Sequence, residues 1–227
     1  MNQTRLVPNY EVEIDYHDAS HTYFADEEKV DSVNQFADSM LGKFDIPPRG
    51  KAKDDPTYYM RRGTLTHSAC EIISFDLDYD IDELPLSGAG EDMAEEVRGF
   101  ARGWKRFLEE SEWQSFAVEE AIYSKELGIA GRPDAIGTFP GDCKDPKGSR
   151  LTVLDIKTGG HYPRYDFCSA AYLVIGSEYY GEEIFDRVYV YLKATGEYRI
   201  EYAKREADIT AFLHAAAFKG WRDNFGK

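Results

Sequence analysis

The run Leu151-Thr152-Val153-Leu154-Asp155-Ile156-Lys157-Thr158-Gly159-Gly160 decides how this chain is read. Its first half is a short apolar run of strand length. A charged pair and two glycines follow at once, the pattern of a buried strand with a polar end. Side chains alternate along a strand, so Asp155 and Lys157 share one face and Ile156 takes the other. Taken alone, a carboxylate and an ammonium so placed make an ion pair and nothing more.

The upstream stretch Ala130-Gly131-Arg132-Pro133-Asp134-Ala135-Ile136-Gly137 changes that reading. If it forms the preceding strand of a hairpin, Asp134 comes to lie beside Asp155. Two carboxylates held together repel unless something neutralises them. A hard divalent cation with oxygen ligands does so, and it can activate water and stabilise charge building on a phosphate. Lys157 would then orient or deprotonate that water, or stabilise the phosphoryl charge.

Outward from this centre the chain alternates strand and helix patterns. Val12, Ile14 and Tyr16 alternate with acids as a strand, Asp18-Ala19-Ser20 reads as a turn, and His21–Phe24 as the returning strand. Asp31-Ser32 caps a helix carrying Val33, Phe36, Ala37, Met40 and Leu41, which Gly42 ends. A second helix is expected from Thr57 to about Ser74. A third, Glu91 to Glu110, places Met93, Val97, Phe100, Trp104, Phe107 and Leu108 at spacings of three and four. Strands follow at Phe116–Tyr123, Gly128–Phe139 and Leu151–Ile156, with Gly141–Ser149 as a turn-rich surface insertion. A helix around Tyr165–Ile175, a hairpin of Arg187–Ala194 with Tyr198–Tyr202, and a last helix from about Ala207 complete the pattern. This order predicts an α/β fold with a mixed sheet flanked by helices on both faces, behind an N-terminal hairpin and helix. One domain is expected over 1–227, with the hairpin, helix and loop in 1–56, a core in 57–203 and a terminal helix in 204–227.

The 227 residues carry 27 basic and 42 acidic side chains, a net charge of −15. Such a surface repels a polyanion. The charge is uneven, however: 71–126 is strongly acidic, whereas 43–70 and 203–227 are net basic. Nucleic acid would therefore be gripped first by Lys43, Arg49, Lys51, Lys53, Arg61 and Arg62. The Asp76-x-Asp78-x-Asp80 start of a calcium loop fails at Ile81, where glycine is needed, and at Ser87, where glutamate is needed. Three scattered cysteines, Cys70, Cys143 and Cys168, suggest reduced thiols in a cytoplasmic setting and are too few for an iron–sulfur cluster. No apolar run is long enough to span a membrane, and none is expected as a partner.

Pro133-Asp134 with Asp155-Ile156-Lys157 resembles the PD-(D/E)XK nuclease superfamily. Four further stretches resemble its RecB-like and phage exonuclease branch: Arg62-Gly63-Thr64-Leu65-Thr66-His67-Ser68-Ala69-Cys70-Glu71, Val118-Glu119-Glu120 with Gly128-Ile129-Ala130-Gly131, the run Asp155-Ile156-Lys157-Thr158-Gly159, and Asp18–Phe24 with Ser32-Val33. The resemblance spans roughly residues 15 to 203. It implies a restriction-endonuclease-like fold and a Mg²⁺- or Mn²⁺-dependent deoxyribonuclease, first an exonuclease of phage recombination or repair type, with a structure-specific endonuclease sharing the same active site as an alternative. Asp134, Asp155, Lys157 and Glu119 would be catalytic, with Glu120 the fallback for Glu119. His67, Asp134, Asp155 and the backbone carbonyl of Ile156 would hold the metal. Arg61, Arg62, Lys51, Lys53 and Tyr172 would meet DNA ends. A single-strand annealing or single-strand-binding protein would be a fitting partner, and a homo-oligomer is compatible with the branch. One position departs: where the branch has glutamine four residues before Tyr172, this chain has Cys168, which bears on substrate handling more than on metal binding. The rival reading is a module that binds nucleic acid or protein on the same fold without cutting.

Overall fold

The computed structural model describes residues 6–17, 22–42, 50–139, 150–203 and 206–225. Ten strands, β1 (Ile14–His17), β2 (Thr22–Ala25), β3 (Glu28–Ser32), β4 (Gln114–Val118), β5 (Ile122–Ser124), β6 (Ile129–Gly131), β7 (Ala135–Thr138), β8 (Leu151–Lys157), β9 (Ile184–Leu192) and β10 (Tyr198–Tyr202), form two five-stranded sheets. Five α-helices accompany them: α1 (Val33–Leu41), α2 (Tyr58–Phe75), α3 (Glu91–Glu110), α4 (Pro163–Tyr180) and α5 (Glu206–Phe225).

The sequence predicts one mixed sheet; the chain builds two. The larger has the order β10-β9-β8-β7-β4, antiparallel except where β8 runs parallel to β9. The smaller has the order β1-β2-β3-β6-β5, with β3 and β6 parallel. Each strand expected as one long piece across 116–139 is broken, into β4 and β5 on one side and β6 and β7 on the other. The first half of each pair joins a different sheet from the second. Both breaks fall at residues that carry chemistry, Glu119-Glu120 and Arg132-Pro133-Asp134. Proline has no N–H for the ladder, and Glu119 turns the chain with a positive φ of 47°.

Alternation along the larger sheet feeds two cores. Ile136 and Val153 pack with Phe36, Ile122, Phe167, Ile175 and Phe212, the side of α1, α4 and α5. Ala135, Leu154, Ile156, Val188 and Val190 pack with Ile73, Val97, Trp104 and Phe107, the side of α2 and α3. Each fully buried large side chain here contributes about 1.5–3 kcal/mol.

Local signals set the helix ends. Ser32 caps α1 with a capping box: its Oγ accepts from the Gln35 amide at 3.0 Å, and its own amide donates to Gln35 Oε1 at 3.1 Å. Glu91 and Asp92 open α3, where acids suit the helix dipole. Trp104 Nε1 donates to Ser74 Oγ at 3.0 Å and locks α3 to α2. Pro163 starts α4, and Gly181 ends it in the left-handed region.

Candidate metal centre

The register of the larger sheet builds the site. Val118 pairs with Ala135, and Ala135 pairs with Leu154. One residue further on, the Glu119 amide donates to the Asp134 carbonyl at 3.1 Å, and Asp134 stands beside Asp155. Three adjacent strand ends thus deliver three carboxylates. The fourth member, His67, comes from the middle of α2.

His67 Nδ1 lies 3.0 Å from Asp134 Oδ1 and 3.6 Å from Glu119 Oε1. One ligand atom each of His67, Glu119 and Asp134 falls within 4.8 Å of the others, a spacing that one cation could bridge. The second oxygen of Asp134 accepts the Ile156 amide at 2.5 Å. The second oxygen of Glu119 accepts from Arg132 Nε at 2.9 Å. Asp155 is contacted by Lys157 Nζ at 2.5 Å, and that ammonium sits 4.1 Å from the centre of the Tyr165 ring. The donor set, the imidazole of His67 with the carboxylates of Glu119 and Asp134, is compatible with a divalent cation, and Asp155 stands next to it outside that group.

Electrostatics describe a cluster that balances itself with protons. Burial opposes charge on His67, but Asp134 and Glu119 outweigh it and raise the imidazole to about 10. Burial also works against ionised Asp134, yet His67 and Lys157 pull it down to about 2. Burial pushes Asp155 up to about 7; Lys157 opposes the rise and Asp134 adds to it. Glu119 is raised by burial and the nearby Asp134 charge, against the pull of His67 and Arg132. Two neighbouring carboxylates pushed in opposite directions, in a cleft, mark a candidate functional site.

The site opens into a cleft of about 1340 Å³ whose wall includes His67, Glu119, Asp134, Ile156 and Lys157. Ile156, whose carbonyl the sequence reading assigns to the metal, therefore borders the site. Tyr172 lines the cleft too, and its ring packs so closely on Gly131 that a Cβ there would lie 2.5 Å from Tyr172 Cε1. Glu120 faces elsewhere and accepts from Tyr180 OH at 3.3 Å. At the position of the expected glutamine, Cys168 is buried, with its thiol 3.8 Å from Asn34 Oδ1.

The cations assigned to DNA have other company. Arg62 donates to Glu96 at 2.7 Å and to the Thr158 carbonyl at 3.0 Å. Lys51 faces Glu96 at 2.9 Å and Asp92 at 3.4 Å. Arg61 pairs with Asp55 at 3.4 Å and donates to the Gly88 carbonyl at 3.0 Å. The Lys53 side chain, with Lys43 and Arg49 and the proposed turns at 18–20 and 141–149, lies outside the described residues. Sequence reasoning did not single out Glu96, Arg132 or Tyr165. Of these only Arg132 carried a signal, since it precedes Pro133-Asp134 directly.

No protein-family model and no curated protein matches the chain. Among solved structures, the chain is similar to one from Eubacterium rectale named "Putative exonuclease". The TM-score is 0.45 at 14% identity, over 84% of this chain and 78% of that one. No helix among the described residues is long and apolar enough to cross a membrane.

Proposed function

We propose that this chain is a metal-dependent nuclease of the PD-(D/E)XK type, hydrolysing phosphodiester bonds in DNA, with exonucleolytic action favoured. One observation carries the reading. His67, Glu119 and Asp134, from three separate elements, bring ligand atoms within 4.8 Å of one another beside the Asp155–Lys157 pair. A surface cluster of acids has no reason to enclose a histidine and a buried lysine.

His67, Glu119, Asp134 and Asp155 would hold the ion. A bound Mg²⁺ or Mn²⁺ would polarise a phosphoryl oxygen and make its bound water acidic. The chain's own residues do the rest. The Ile156 amide fixes one Asp134 oxygen and so aims the other at His67. Arg132 does the same for Glu119. Lys157 Nζ, packed on Tyr165, presents its N–H groups where charge builds on the phosphate oxygens. Arg62 holds the Thr158 carbonyl and fixes the turn that follows Lys157.

The test is a digestion panel of 5′- and 3′-labelled single- and double-stranded DNA plus a closed circle, in Mg²⁺, Mn²⁺ or EDTA. Metal-dependent loss of ends with the circle intact is the expected result. Cutting of the circle would make the protein an endonuclease. Absence of metal-dependent cutting, or equal cutting by Asp155→Ala, would leave a binding module.

A further inference from the structure

Six tyrosines line the cleft: Tyr16, Tyr23, Tyr59, Tyr162, Tyr165 and Tyr172. Its lining cations among the described residues, Arg62, Arg132 and Lys157, each already face a carboxylate: Glu96, Glu119 and Asp155. Four acids, Asp38, Glu71, Glu119 and Asp134, share the same wall. A polyanion gains little there from charge alone, because a phosphate would have to displace a partner already in place.

Aromatic rings offer the other source of grip, and their placement is specific. Tyr59, on α2, is 41% exposed, and its ring lies 5.0 Å from the Arg62 guanidinium, which in turn binds the Thr158 carbonyl. Tyr162, half-buried at the start of α4, meets Tyr165 edge to face at 5.5 Å. Tyr165 in turn lies under the Lys157 ammonium. Tyr59 and Tyr162 thus each reach the Lys157–Thr158 turn through one intervening side chain, Arg62 and Tyr165, and both line the same cleft. Stacking needs bare base faces, which a duplex hides between its own base pairs.

We propose that the cleft takes a single-stranded polynucleotide, held by stacking of unpaired bases on Tyr59 and Tyr162 in the cleft that Lys157 also lines, with phosphate ion pairs a minor part of the grip. This deepens the nuclease reading by naming the substrate class at that same site. It also explains how a chain of net charge −15 could hold nucleic acid. The salt dependence follows: with few phosphates neutralised, affinity falls shallowly as salt rises.

The test is fluorescence anisotropy in EDTA, with the unmodified protein and four labelled 12-mers. These are a mixed-sequence DNA strand, the RNA strand of the same sequence, the blunt DNA duplex, and a base-free deoxyribose-phosphate strand. At least one of the two single strands should bind about tenfold or more tighter than the duplex, and the base-free strand should fall to the duplex level. The comparison of DNA with RNA identifies the sugar. Tyr59→Leu and Tyr162→Leu should each weaken single-strand binding about five- to tenfold, while Tyr59→Phe, which keeps the ring, stays within about twofold. Duplex binding equal to that of the single strand, undiminished binding of the base-free strand, or no binding of any strand would overturn the proposal. Mn²⁺-dependent hydrolysis of bis(p-nitrophenyl) phosphate, which needs no base, separates the two claims. If it persists while the strand preference fails, stacking is wrong and the nuclease reading stands. If it is absent while the preference holds, the nuclease reading falls and the stacking cleft remains.

Discussion

Replacing Arg62 by methionine asks whether this arginine braces the site or grips the substrate. Its guanidinium bridges Glu96 on α3 and the Thr158 carbonyl beyond β8, and lies about 5 Å from the rings of Tyr59 and Phe100. The Arg62 and Glu96 side chains are 13% and 23% exposed, so their pair is only partly screened. A hydrogen bond to a charged group contributes about 1.5–3 kcal/mol, and partial exposure places this one near the lower end. The bond to Thr158 adds about 1 kcal/mol. Methionine keeps most of the apolar stem contact. The loss is then about 2.5 kcal/mol, and with a urea slope of about 2.5 kcal/mol per M the unfolding midpoint falls by roughly 1 M. A double-mutant cycle with Glu96→Gln should return a coupling of about 1.5 kcal/mol. Mn²⁺ affinity by calorimetry should stay near wild type, because Arg62 is no ligand. A midpoint shift below about 0.2 M, with coupling near zero, would refute the brace and leave Arg62 free for substrate.

The same pair predicts a pH dependence. Burial alone would raise Glu96, but Lys51 and Arg62 outweigh it and hold the carboxyl below its ordinary 4.5. Stability from a depressed carboxylate is fully present above 4.5 and lost as the pH falls through the lower folded value. The gap between wild type and Glu96→Gln in urea unfolding should therefore narrow as the pH falls below 4.5; a gap that stays constant on acidification would contradict it. Asp134→Ala and Asp155→Ala should abolish metal-dependent cleavage in a chain whose far-UV circular dichroism is unchanged. Lys157→Ala should lose most of the rate but keep Mn²⁺ affinity, and loss of that affinity as full as in Asp155→Ala would sink the division of roles. Gly99→Ala should destabilise by about 1–3 kcal/mol, because its Cβ would lie 1.8 Å from the Ala194 carbonyl oxygen in the β9–β10 turn. Gly63→Ala, with nothing within 4 Å, should instead stabilise α2 by about 0.5–1 kcal/mol by thermal unfolding.

What the sequence made legible follows from which signals are local. α3 is read to the residue, Glu91 to Glu110, because one buried face repeats along its whole length. The Ser32 cap and the adjacency of Asp134 and Asp155 were also legible, one from cap chemistry and one from strand register. β3 was missed because the turn before it, Asp26-Glu27, takes positive φ values of 49° and 69° without a glycine to announce it. α4 runs to Tyr180, five residues past the expected end, because it is buried on several sides and shows no single apolar stripe. The two-sheet arrangement was illegible, since β3 pairs with β6 across almost a hundred residues of chain. At the site, a basic residue reads the same whether it faces solvent or a carboxylate. Arg62, Lys51 and Arg61 pointed to nucleic acid in the sequence; Glu96, which faces both Arg62 and Lys51, sits far along the chain on α3, while Asp55, which faces Arg61, lies six residues upstream.

Glu119 shows where selection on this chain would divide. Its φ of 47° costs an L residue about 1–2 kcal/mol, and its buried carboxylate sits beside the like charge of Asp134. Glycine would remove both penalties and has no carboxylate to offer a cation. A library screened for heat resistance alone should drift toward glycine or asparagine at this position, and one screened for metal-dependent turnover should return to glutamate. Two lineages of the same fold would then separate at a single codon, one more stable and one still reactive.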